Sequence, residues 1–395
     1  MTASTHNAVD NVLERFVAEN EKISLLQDEE ILRAATEVSR VNKALQKYTV
    51  DAKLGGNLNE NPRLVQKAQK RVKDARIVFT TCTGASLGIL RKANFDIVLI
   101  DEASQISEPA ALIPLVKGSG TAVMVGDHVQ LRPTVQAMGK ALEFDRSLFE
   151  RLYIGSSYGD MTRNMLEVQY RFPKAIAGFP SAEFYEGRLA TGNPNTHAVA
   201  KLSLSRFPWP GPERDGNVFP VVFVPCLAEE DYGRSSKSNK GQAELVKYII
   251  SLLRGLHLPE QRSHASVSPE ENRAKVDAEL QAFSIAALTP YSRQVQLLRH
   301  TLPSGTVIST IDGFQGRESD IVVFSTVRSN ADGDLGFVED ARRLNVAWTR
   351  PKVGLIIVGD PRTLKQSALW GRALKHCREV NIPPLELPEA GNTTM

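Results

Sequence analysis

Short apolar runs alternate with amphipathic segments along most of the chain beyond residue 75. Strands that are buried on both faces of a parallel sheet are almost continuously apolar, and these runs have that character. The stretches between them have helical periodicity, as in QAELVKYIISLLRGL at residues 242–256. The alternation predicts two α/β units with parallel sheets. The predicted strands lie within 76–81, 95–102, 121–127, 218–225, 283–291, 306–311, 321–326 and 352–360.

The first 75 residues have a different pattern and are predicted to be helical. Apolar residues between positions 12 and 17 share one helix face, and those between 31 and 35 repeat the spacing. Residues 53–62 predict a loop because Gly, Asn and Pro are frequent there. The basic segment at 63–76 predicts a helix, for which a solvated charged face is favoured over contact with RNA.

These patterns predict three segments along the chain. A helical segment occupies residues 1–75, a first α/β lobe occupies 76–160, and a second lobe occupies 161–385. Within the second lobe, residues 258–275 are polar and predict a surface insertion that contributes nothing to the core.

Composition narrows the class of protein. The 395 residues are 42% hydrophobic and 24% charged, which is typical of a globular chain, and the net charge of +3 does not by itself indicate nucleic-acid binding. The 3 cysteines are far apart, which excludes a CxxC zinc motif and fits a reducing compartment. No apolar run approaches the ~20 residues that span a bilayer, and the first residues lack a signal peptide's apolar core. We therefore expect an intracellular protein of the cytoplasm or nucleus.

Polar residues that follow the predicted strands are the candidates for chemistry, because ligands bind beyond the carboxyl ends of parallel strands. Asp101 and Glu102 follow one apolar run. One carboxylate can hold magnesium through water and the other can activate a water for attack on a phosphate; the alternative is an acidic turn. Gln130 follows the next run, where it could sense a phosphate oxygen or orient a water, or could belong to an ordinary turn capped by Asp127.

Arginines and glycines in the second lobe add further candidates. Gly316 permits a close backbone approach to a ligand, and Glu318 precedes an apolar run. Arg343 and Arg350 are seven residues apart and would share one face if that stretch is helical. Arg171 offers another guanidinium, suited to charge on a phosphoryl group, although a surface ion pair is the more ordinary role for each arginine alone.

In this order and spacing, the motifs resemble those of superfamily 1 helicases, in the branch that includes the up-frameshift helicase of nonsense-mediated decay. The resemblance covers residues 64–360. It is carried by TTCTGA, DEASQ, GDHVQLRP, SLFERL, QYRFP, FPSAEFYEGRL, SNKGQAE, LTPYSRQ, TIDGFQGRESD, VRSN and RRLNVAWTRPK.

The resemblance implies a fold of two RecA-like P-loop NTPase lobes with parallel sheets that hold ATP between them. In such helicases, Asp101 would help to hold Mg²⁺ through water and Glu102 would be the general base. Gln130 would couple the γ-phosphate to lobe closure. Arg171 and Arg350 would be arginine fingers.

The same resemblance assigns ligand contacts to other residues. Gly316, Glu318 and Arg343 would lie near the phosphates and ribose of the nucleotide. Single-stranded RNA or DNA would be read mainly through its backbone, with weak sequence specificity. The expected nucleic-acid contacts are Thr81, Thr83, Pro133, Pro290, Tyr291, Thr310 and Asp312.

The sequence departs from the family pattern at several positions. The family's Gln-Tyr-Arg-Met-His-Pro run is replaced by QYRFPK, which keeps Arg171. Trp348 and Pro351 replace Leu and Ala beside Arg350, and Pro351 restricts the backbone of the preceding arginine.

The largest departure is the absence of a GxxxxGK[ST] phosphate loop; the nearest string is MGKA at 138–141. We therefore expect a truncated helicase core whose first lobe is incomplete on its N-terminal side and preceded by helices. Missing strands should leave a sheet edge and apolar surface exposed. The chain by itself should hydrolyse ATP slowly or not at all. The alternative is a catalytically silent module that binds single-stranded nucleic acid or a protein.

Overall fold

The computed structural model describes residues 1–56, 63–155, 161–192, 196–211, 218–231, 236–255, 280 and 282–382. The chain divides into two compact units, unit 1 from Met1 to Asn164 and unit 2 from Met165 to Met395. The predicted insertion at 258–275 and most of the predicted loop at 53–62 lie outside the described residues.

Unit 1 is built on a parallel sheet of five strands in the order β2-β3-β1-β4-β5. The N-terminal strand lies inside this sheet, because Thr2 pairs with Thr80 on one side and with Ile100 on the other. The strands are β1 (Thr2–Ala3), β2 (Ile31–Arg33), β3 (Ile77–Thr81), β4 (Ile97–Ile100) and β5 (Thr121–Met124).

Six α-helices accompany these strands in the described part of unit 1. The longest, α1, begins after Thr5, whose side chain accepts a hydrogen bond from the Ala8 amide, and ends at Ser24 in the left-handed conformation. The helices are α1 (His6–Ile23), α2 (Val50–Leu54), α3 (Leu64–Asp74), α4 (Glu108–Leu115), α5 (Ala137–Ala141) and α6 (Leu148–Ile154).

The prediction that residues 1–75 are helical is right for α1 and α3 but wrong at β1 and β2. Residues 31–33 form a strand whose side chains are all buried, in register with β3 from Ile77 onward. A buried run of only three residues fits a strand as well as one turn of a helix, so its spacing does not decide between them. Here the pairing with β3 determines that the run is a strand.

The prediction that every apolar run is buried on both faces is wrong for β5. This strand pairs only with β4 among the described strands, so it lies at the edge of the sheet. Val123 is 42% exposed, Val125 is 44% exposed, and Ile97 at the start of β4 is 63% exposed. The sheet therefore has an open apolar edge at β5, as the sequence predicts.

A buried ion pair joins α1 to β2. The Arg33 guanidinium donates to Asp10 through Nε at 2.8 Å, and the two side chains are 0% and 6% exposed. Asp10 also accepts the Asn42 amide at 2.8 Å, and Arg33 contacts His6 Nδ1 at 3.2 Å. Burial, followed by the nearby Arg33 charge, lowers the pKa of His6. This network fixes the start of α1 against the sheet.

Unit 2 contains a parallel sheet of six strands in the order β10-β9-β11-β12-β8-β13 and a separate two-stranded pair, β6-β7. The strands are β6 (Val168–Gln169), β7 (Ala190–Thr191), β8 (Val221–Pro225), β9 (Ile285–Thr289), β10 (Val307–Thr310), β11 (Ser319–Ser325), β12 (Pro351–Gly359) and β13 (Arg378–Glu379).

The core of unit 2 forms where α9 packs on this sheet. Val246, Ile249, Ile250 and Leu253 repeat at helical spacing, are almost fully buried, and belong to one apolar cluster with residues of β8, β9, β11 and β12. The described helices are α7 (Lys174–Phe184), α8 (Thr196–Ala200), α9 (Lys240–Leu253), α10 (Ser292–Thr301), α11 (Ala341–Trp348), α12 (Pro361–Leu364) and α13 (Ala368–Lys375).

All eight strands predicted from apolar runs are confirmed, and so is the parallel α/β class. Every pairing between named strands is parallel, both in unit 1 and in unit 2. The carboxyl ends of the strands in each sheet consequently meet at one edge, and this positions the candidate residues described below. Across the described residues, no helix has the length and apolar character needed to cross a membrane.

The buried pair predicts a large effect of substituting one partner. Asp10→Asn leaves the Arg33 charge buried without its carboxylate, so we expect the free energy of unfolding to fall by about 3 kcal/mol. Chemical denaturation followed by circular dichroism measures this change.

Glu19→Gln is the matched control, because Glu19 pairs with Lys22 on the same helix and both side chains are 67% exposed. This exposed pair should change stability by less than about 0.5 kcal/mol. Equal effects of the two substitutions would contradict the assigned role of the Asp10–Arg33 pair.

Candidate active site

Two acidic residues follow β4 in a tight turn. Asp101 is half-buried, and its amide donates to the Thr2 carbonyl at 2.8 Å, which ties the turn to β1. Glu102 has φ +52°, an uncommon conformation for a residue with a side chain. Its carboxylate accepts a hydrogen bond from Gln105 Nε2 at 2.5 Å. The backbone and the amide together fix the direction of the Glu102 carboxylate.

A second polar turn follows β5 and is bonded to the first. The Asp127 amide donates to Ser104 Oγ at 3.2 Å, and the Ala103 amide donates to the Val125 carbonyl at 2.8 Å. Gln130 Nε2 donates to the Asp127 carboxylate at 2.7 Å, which orients the Gln130 amide. The structure therefore brings together the turns of Asp101–Glu102 and Gln130 at one edge of the unit 1 sheet.

Gly126 allows these two turns to approach closely. A Cβ atom at this position would lie 2.8 Å from the Ser104 amide nitrogen and 3.2 Å from that of Ala103. Both neighbours are backbone atoms, so neither can move without disturbing the turn that carries Glu102. The glycine is required by this contact and not by its φ angle.

Two ion pairs that the sequence interpretation missed support this region. Arg132 donates to Glu150 on α6 through Nε at 2.8 Å, and this hydrogen bond raises the pKa of Arg132. Arg151 donates to both Glu108 oxygens at 2.7 and 2.8 Å, and these bonds lower the pKa of Glu108. The pairs connect α6 to the segment after Gln130 and to α4, and their sequence separation hides them from pattern analysis.

A cavity of about 210 Å³ lies beside the carboxyl end of β1 and β3. It brings together Thr83 and Pro133, both predicted nucleic-acid contacts, and adds Ser4, which the sequence interpretation did not select. Thr81 is buried beneath this surface, where its hydroxyl accepts the Gly84 amide at 2.9 Å and so shapes the turn that carries Thr83. Thr81 therefore supports the turn and does not line the cavity.

In unit 2, one set of predicted residues lies at the amino ends of β11 and β12. The Arg171 guanidinium donates to Glu318 at 2.8 Å and to the Thr349 carbonyl at 3.0 Å. Lys352 lies 3.7 Å from the same Glu318 carboxylate. Arg171 and Lys352 are about one-third exposed, so both cations reach the surface of unit 2, where each is paired with an acidic side chain.

Arg350 does not share a helix face with Arg343, contrary to the sequence-based expectation. The helix α11 ends at Trp348, and Arg350 lies in the turn just before β12 begins at Pro351. Arg350 is 3% exposed, and its Nε donates to the Val346 carbonyl at 3.1 Å. The side chain therefore folds back on the end of α11.

A different set lies at the carboxyl ends of β9 and β10. Arg343 donates to both oxygens of Asp312 at 2.9 and 3.0 Å, and these bonds raise the pKa of Arg343. Thr310 accepts the Gly313 amide at 3.1 Å, which holds the turn after β10. Tyr291 follows Pro290 directly and is the N-terminal cap residue just before α10; it is 3% exposed, and burial raises its pKa.

The predicted set in unit 2 is thus divided between two edges of the sheet. Glu318 and Arg350 precede β11 and β12, whereas Asp312 follows β10 and holds Arg343 at the carboxyl edge. Gly316, with φ +73°, lies in the segment that returns the chain from one edge to the other. Arg343 is therefore associated with the predicted nucleic-acid residues and not with Glu318.

A buried polar network lies behind the carboxyl edge, and the sequence interpretation did not find it. Val327 follows β11 with φ +69°, a strained conformation for a β-branched residue. Its amide donates to Gln242 Oε1 at 2.8 Å, and its carbonyl accepts Asn239 Nδ2 at 3.0 Å. Gln242 and Asn239 belong to the motif SNKGQAE, whose role here is to fix the loop after β11.

Protein-family models and named relatives match most of this chain. Two protein-family models match the chain, both described as an AAA domain, over residues 57–138 and 144–362. "ATP-dependent helicase upf1" of Schizosaccharomyces pombe is 37% identical over 80% of this chain. The chain belongs to the superfamily 1 helicases, in their up-frameshift-like branch.

Other relatives are named as a regulator of nonsense transcripts or as a DNA helicase. "Regulator of nonsense transcripts 1 homolog" of Drosophila melanogaster is 36% identical over 78% of the chain, and "DNA polymerase alpha-associated DNA helicase A" of S. pombe is 34% identical over 74%. The matched stretch covers 32%, 24% and 41% of the upf1, Drosophila and helicase A proteins, so the chain spans less than half of each relative. Among solved structures, the complex of arterivirus nonstructural protein 10 (helicase) with DNA matches with TM-score 0.40 and 12% identity, over 95% of this chain and 55% of that chain.

The contact at Gly126 predicts a specific loss of stability. Gly126→Ala forces a methyl group against the backbone of Ala103 and Ser104, so we expect the free energy of unfolding to fall by about 1–3 kcal/mol. Thermal and urea unfolding of the purified variant measure the loss.

Gly88→Ala is the matched control. A Cβ at Gly88 would meet no atom within 4 Å, and its φ lies outside the left-handed region. This substitution should leave stability within about 0.5 kcal/mol of the parent. If Gly126→Ala is as stable as Gly88→Ala, the two turns do not pack as described.

Proposed function

We propose that the chain is the part of an ATP-dependent superfamily 1 helicase that binds single-stranded RNA or DNA and couples its binding to ATP. In the intact motor, nucleic-acid-stimulated ATP hydrolysis would drive translocation along the strand. The observation that carries the proposal is the bonded pair of turns after β4 and β5. This pair fixes a carboxylate, Glu102, and an amide, Gln130, at one edge of a parallel sheet.

The residues of unit 1 suit distinct steps of phosphate chemistry. Glu102 would accept a proton from the attacking water, since a carboxylate has two acceptor oxygens and can accept more than one hydrogen bond. Gln130 would contact the γ-phosphate and couple its presence to lobe closure, while its hydrogen bond to Asp127 holds the amide in position. Bound ATP would supply the phosphoryl group, and Mg²⁺ would neutralise its charge.

The described residues fit a magnesium ion that keeps most of its water. No group of three His, Cys, Asp or Glu side chains within the described ranges could hold a metal by itself. Mg²⁺ in phosphoryl-transfer sites is commonly bound by one or two carboxylates, waters and substrate phosphates. Asp101 would supply that carboxylate.

In unit 2, Arg171 is the arginine best placed to meet a phosphate. Its guanidinium is about one-third exposed and is oriented by Glu318 and the Thr349 carbonyl. Arg350 is buried and would act on phosphate only after leaving the Val346 carbonyl, so in this conformation it supports the turn. Gly316 and Glu318 would contact the nucleotide from the same edge as Arg171.

Nucleic acid would bind on the carboxyl-edge surfaces. The cavity lined by Thr83 and Pro133 in unit 1 and the surface around Tyr291, Thr310 and Asp312 in unit 2 support this assignment. Thr81, Pro290 and Arg343 would shape these surfaces.

A second candidate function is a silent module that binds single strands without using ATP. It is favoured by one observation, the absence of GxxxxGK[ST] from the sequence, because that loop supplies the amide cradle and lysine for phosphate. The two functions differ in whether a nucleotide changes the affinity for nucleic acid.

Fluorescence anisotropy with a labelled single-stranded oligonucleotide tests the proposal, together with ATP turnover by the same chain. We expect binding to RNA or DNA, a change in affinity of at least about 5-fold on addition of a non-hydrolysable ATP analogue, and slow turnover. Any turnover stimulated by the oligonucleotide should fall at least about 100-fold in Glu102→Gln.

Glu14→Gln serves as the control because Glu14 is an exposed residue of α1. Affinity that is indifferent to the nucleotide would identify the silent module. A folded chain that binds no single strand would refute both functions. Rapid oligonucleotide-stimulated turnover that requires Glu102 would contradict the expectation of slow hydrolysis.

A further inference from the structure

Phe337 is an exposed aromatic residue at the carboxyl edge of the unit 2 sheet. It lies in the loop between β11 and α11 and is 53% exposed. Single exposed apolar residues are common on protein surfaces and need no explanation by themselves. Phe337 differs because its ring and its backbone are both held by residues of the same edge.

Three contacts fix the ring and the backbone of Phe337. Its ring centroid lies 5.6 Å from that of Tyr291, and the guanidinium carbon of Arg343 lies 5.1 Å from the ring centroid. The Phe337 amide donates to the Tyr291 hydroxyl at 3.2 Å. Arg343 is in turn held by both oxygens of Asp312. About half of the residue nevertheless stays open to solvent.

The loop that carries Phe337 is itself held in one conformation. Gly336 has φ +52°, and a Cβ there would lie 2.5 Å from an Arg328 nitrogen and 2.8 Å from the Tyr291 hydroxyl. The Asp334 carboxylate accepts the Gly336 amide at 2.9 Å and pairs with Arg328 at 2.7 Å, and the bond from Arg328 lowers the pKa of Asp334. An exposed aromatic ring that is held before binding loses little conformational entropy when a ligand stacks on it.

Phe337 lies beside residues for which the sequence predicts nucleic-acid contacts. Tyr291 contacts the Phe337 ring, and Asp312 binds the Arg343 guanidinium that lies over it. Both Tyr291 and Asp312 are predicted nucleic-acid contacts, and both follow parallel strands at the carboxyl edge. Exposed aromatic side chains can bind single strands because every base has a π-face on which to stack. The Arg343 charge is already shared with Asp312, so its role here is to position the ring.

We propose that Phe337 is a stacking platform for one base of the bound single strand. This inference rests on the proposed function, since it adds a base contact to a strand otherwise held through its backbone. Stacking tolerates any base, so the contact raises affinity without conferring sequence specificity.

The test measures binding of a labelled single-stranded oligonucleotide by the parent chain, Phe337→Ala and Phe337→Trp. We expect Phe337→Ala to weaken binding roughly 5- to 100-fold, as for loss of one stacked base, with the slope of affinity against salt unchanged. Phe337→Trp should retain most of the affinity because it restores an aromatic face.

An oligonucleotide with abasic sites gives a second readout that a merely structural role would not move. The parent chain should lose affinity for the abasic strand about as much as Phe337→Ala loses for the normal strand. Phe337→Ala should bind both strands equally, because a protein without the ring makes no stacking contact that an abasic site could remove.

Phe144→Ala is the matched control, since Phe144 is 51% exposed and belongs to unit 1. It should bind as the parent does. The stacking role would be overturned if the parent chain binds the strand and Phe337→Ala binds it with the same affinity. It would also be overturned if Phe337→Ala and Phe337→Trp lose affinity equally. Either result would leave the proposed function intact. A parent chain that binds neither strand would overturn the proposed function and this inference with it.

Discussion

Parallel pairing of strands is the constraint on which the position of every candidate residue depends. Because every named strand in each sheet has the same direction, residues that are distant in sequence but follow a strand are brought to a single edge. In unit 1 this edge carries Glu102 and Gln130, and in unit 2 it carries Asp312, Tyr291 and Phe337. The buried apolar faces of the sheets hold these edges in place, as the cluster around α9 does in unit 2. The polar bonds at the edges then fix individual side chains, at positions that packing has already determined.

The strands were predictable from the sequence because burial on two faces leaves a simple signal, a short and almost continuous apolar run. The same reasoning failed at Ile31–Arg33, where the run is too short to distinguish a strand from a helix turn, and at Thr2–Ala3, which is polar in part. Pairing with β3 determines both of these strands, and pairing partners are not visible in a local pattern. The exposure of β5 follows from its position in the sheet and not from its composition.

The positions of candidate residues were predictable where polar side chains directly follow a strand, as Asp101 and Glu102 do. They were less predictable where tertiary contacts determine the role of a residue. Arg350 belongs to a motif beside Pro351, yet its side chain is buried against the end of α11. Arg171 is partly exposed and is held by Glu318, which is 147 residues away in the sequence. Phe337 has no signal in the sequence at all, because an exposed phenylalanine gains significance only from the residues that hold it.

Amide hydrogen exchange of the 395-residue chain, with and without a saturating single-stranded oligonucleotide, tests most directly whether the carboxyl edges form the nucleic-acid surface. We expect slower exchange on binding in the turn at 82–86 of unit 1 and in the segments at 291–293 and 328–340 of unit 2. Amides at the amino edge of the unit 2 sheet, around Glu318 and Arg350, should change little with the oligonucleotide alone. Protection confined to the amino edge, with none in the carboxyl-edge segments, would contradict the account.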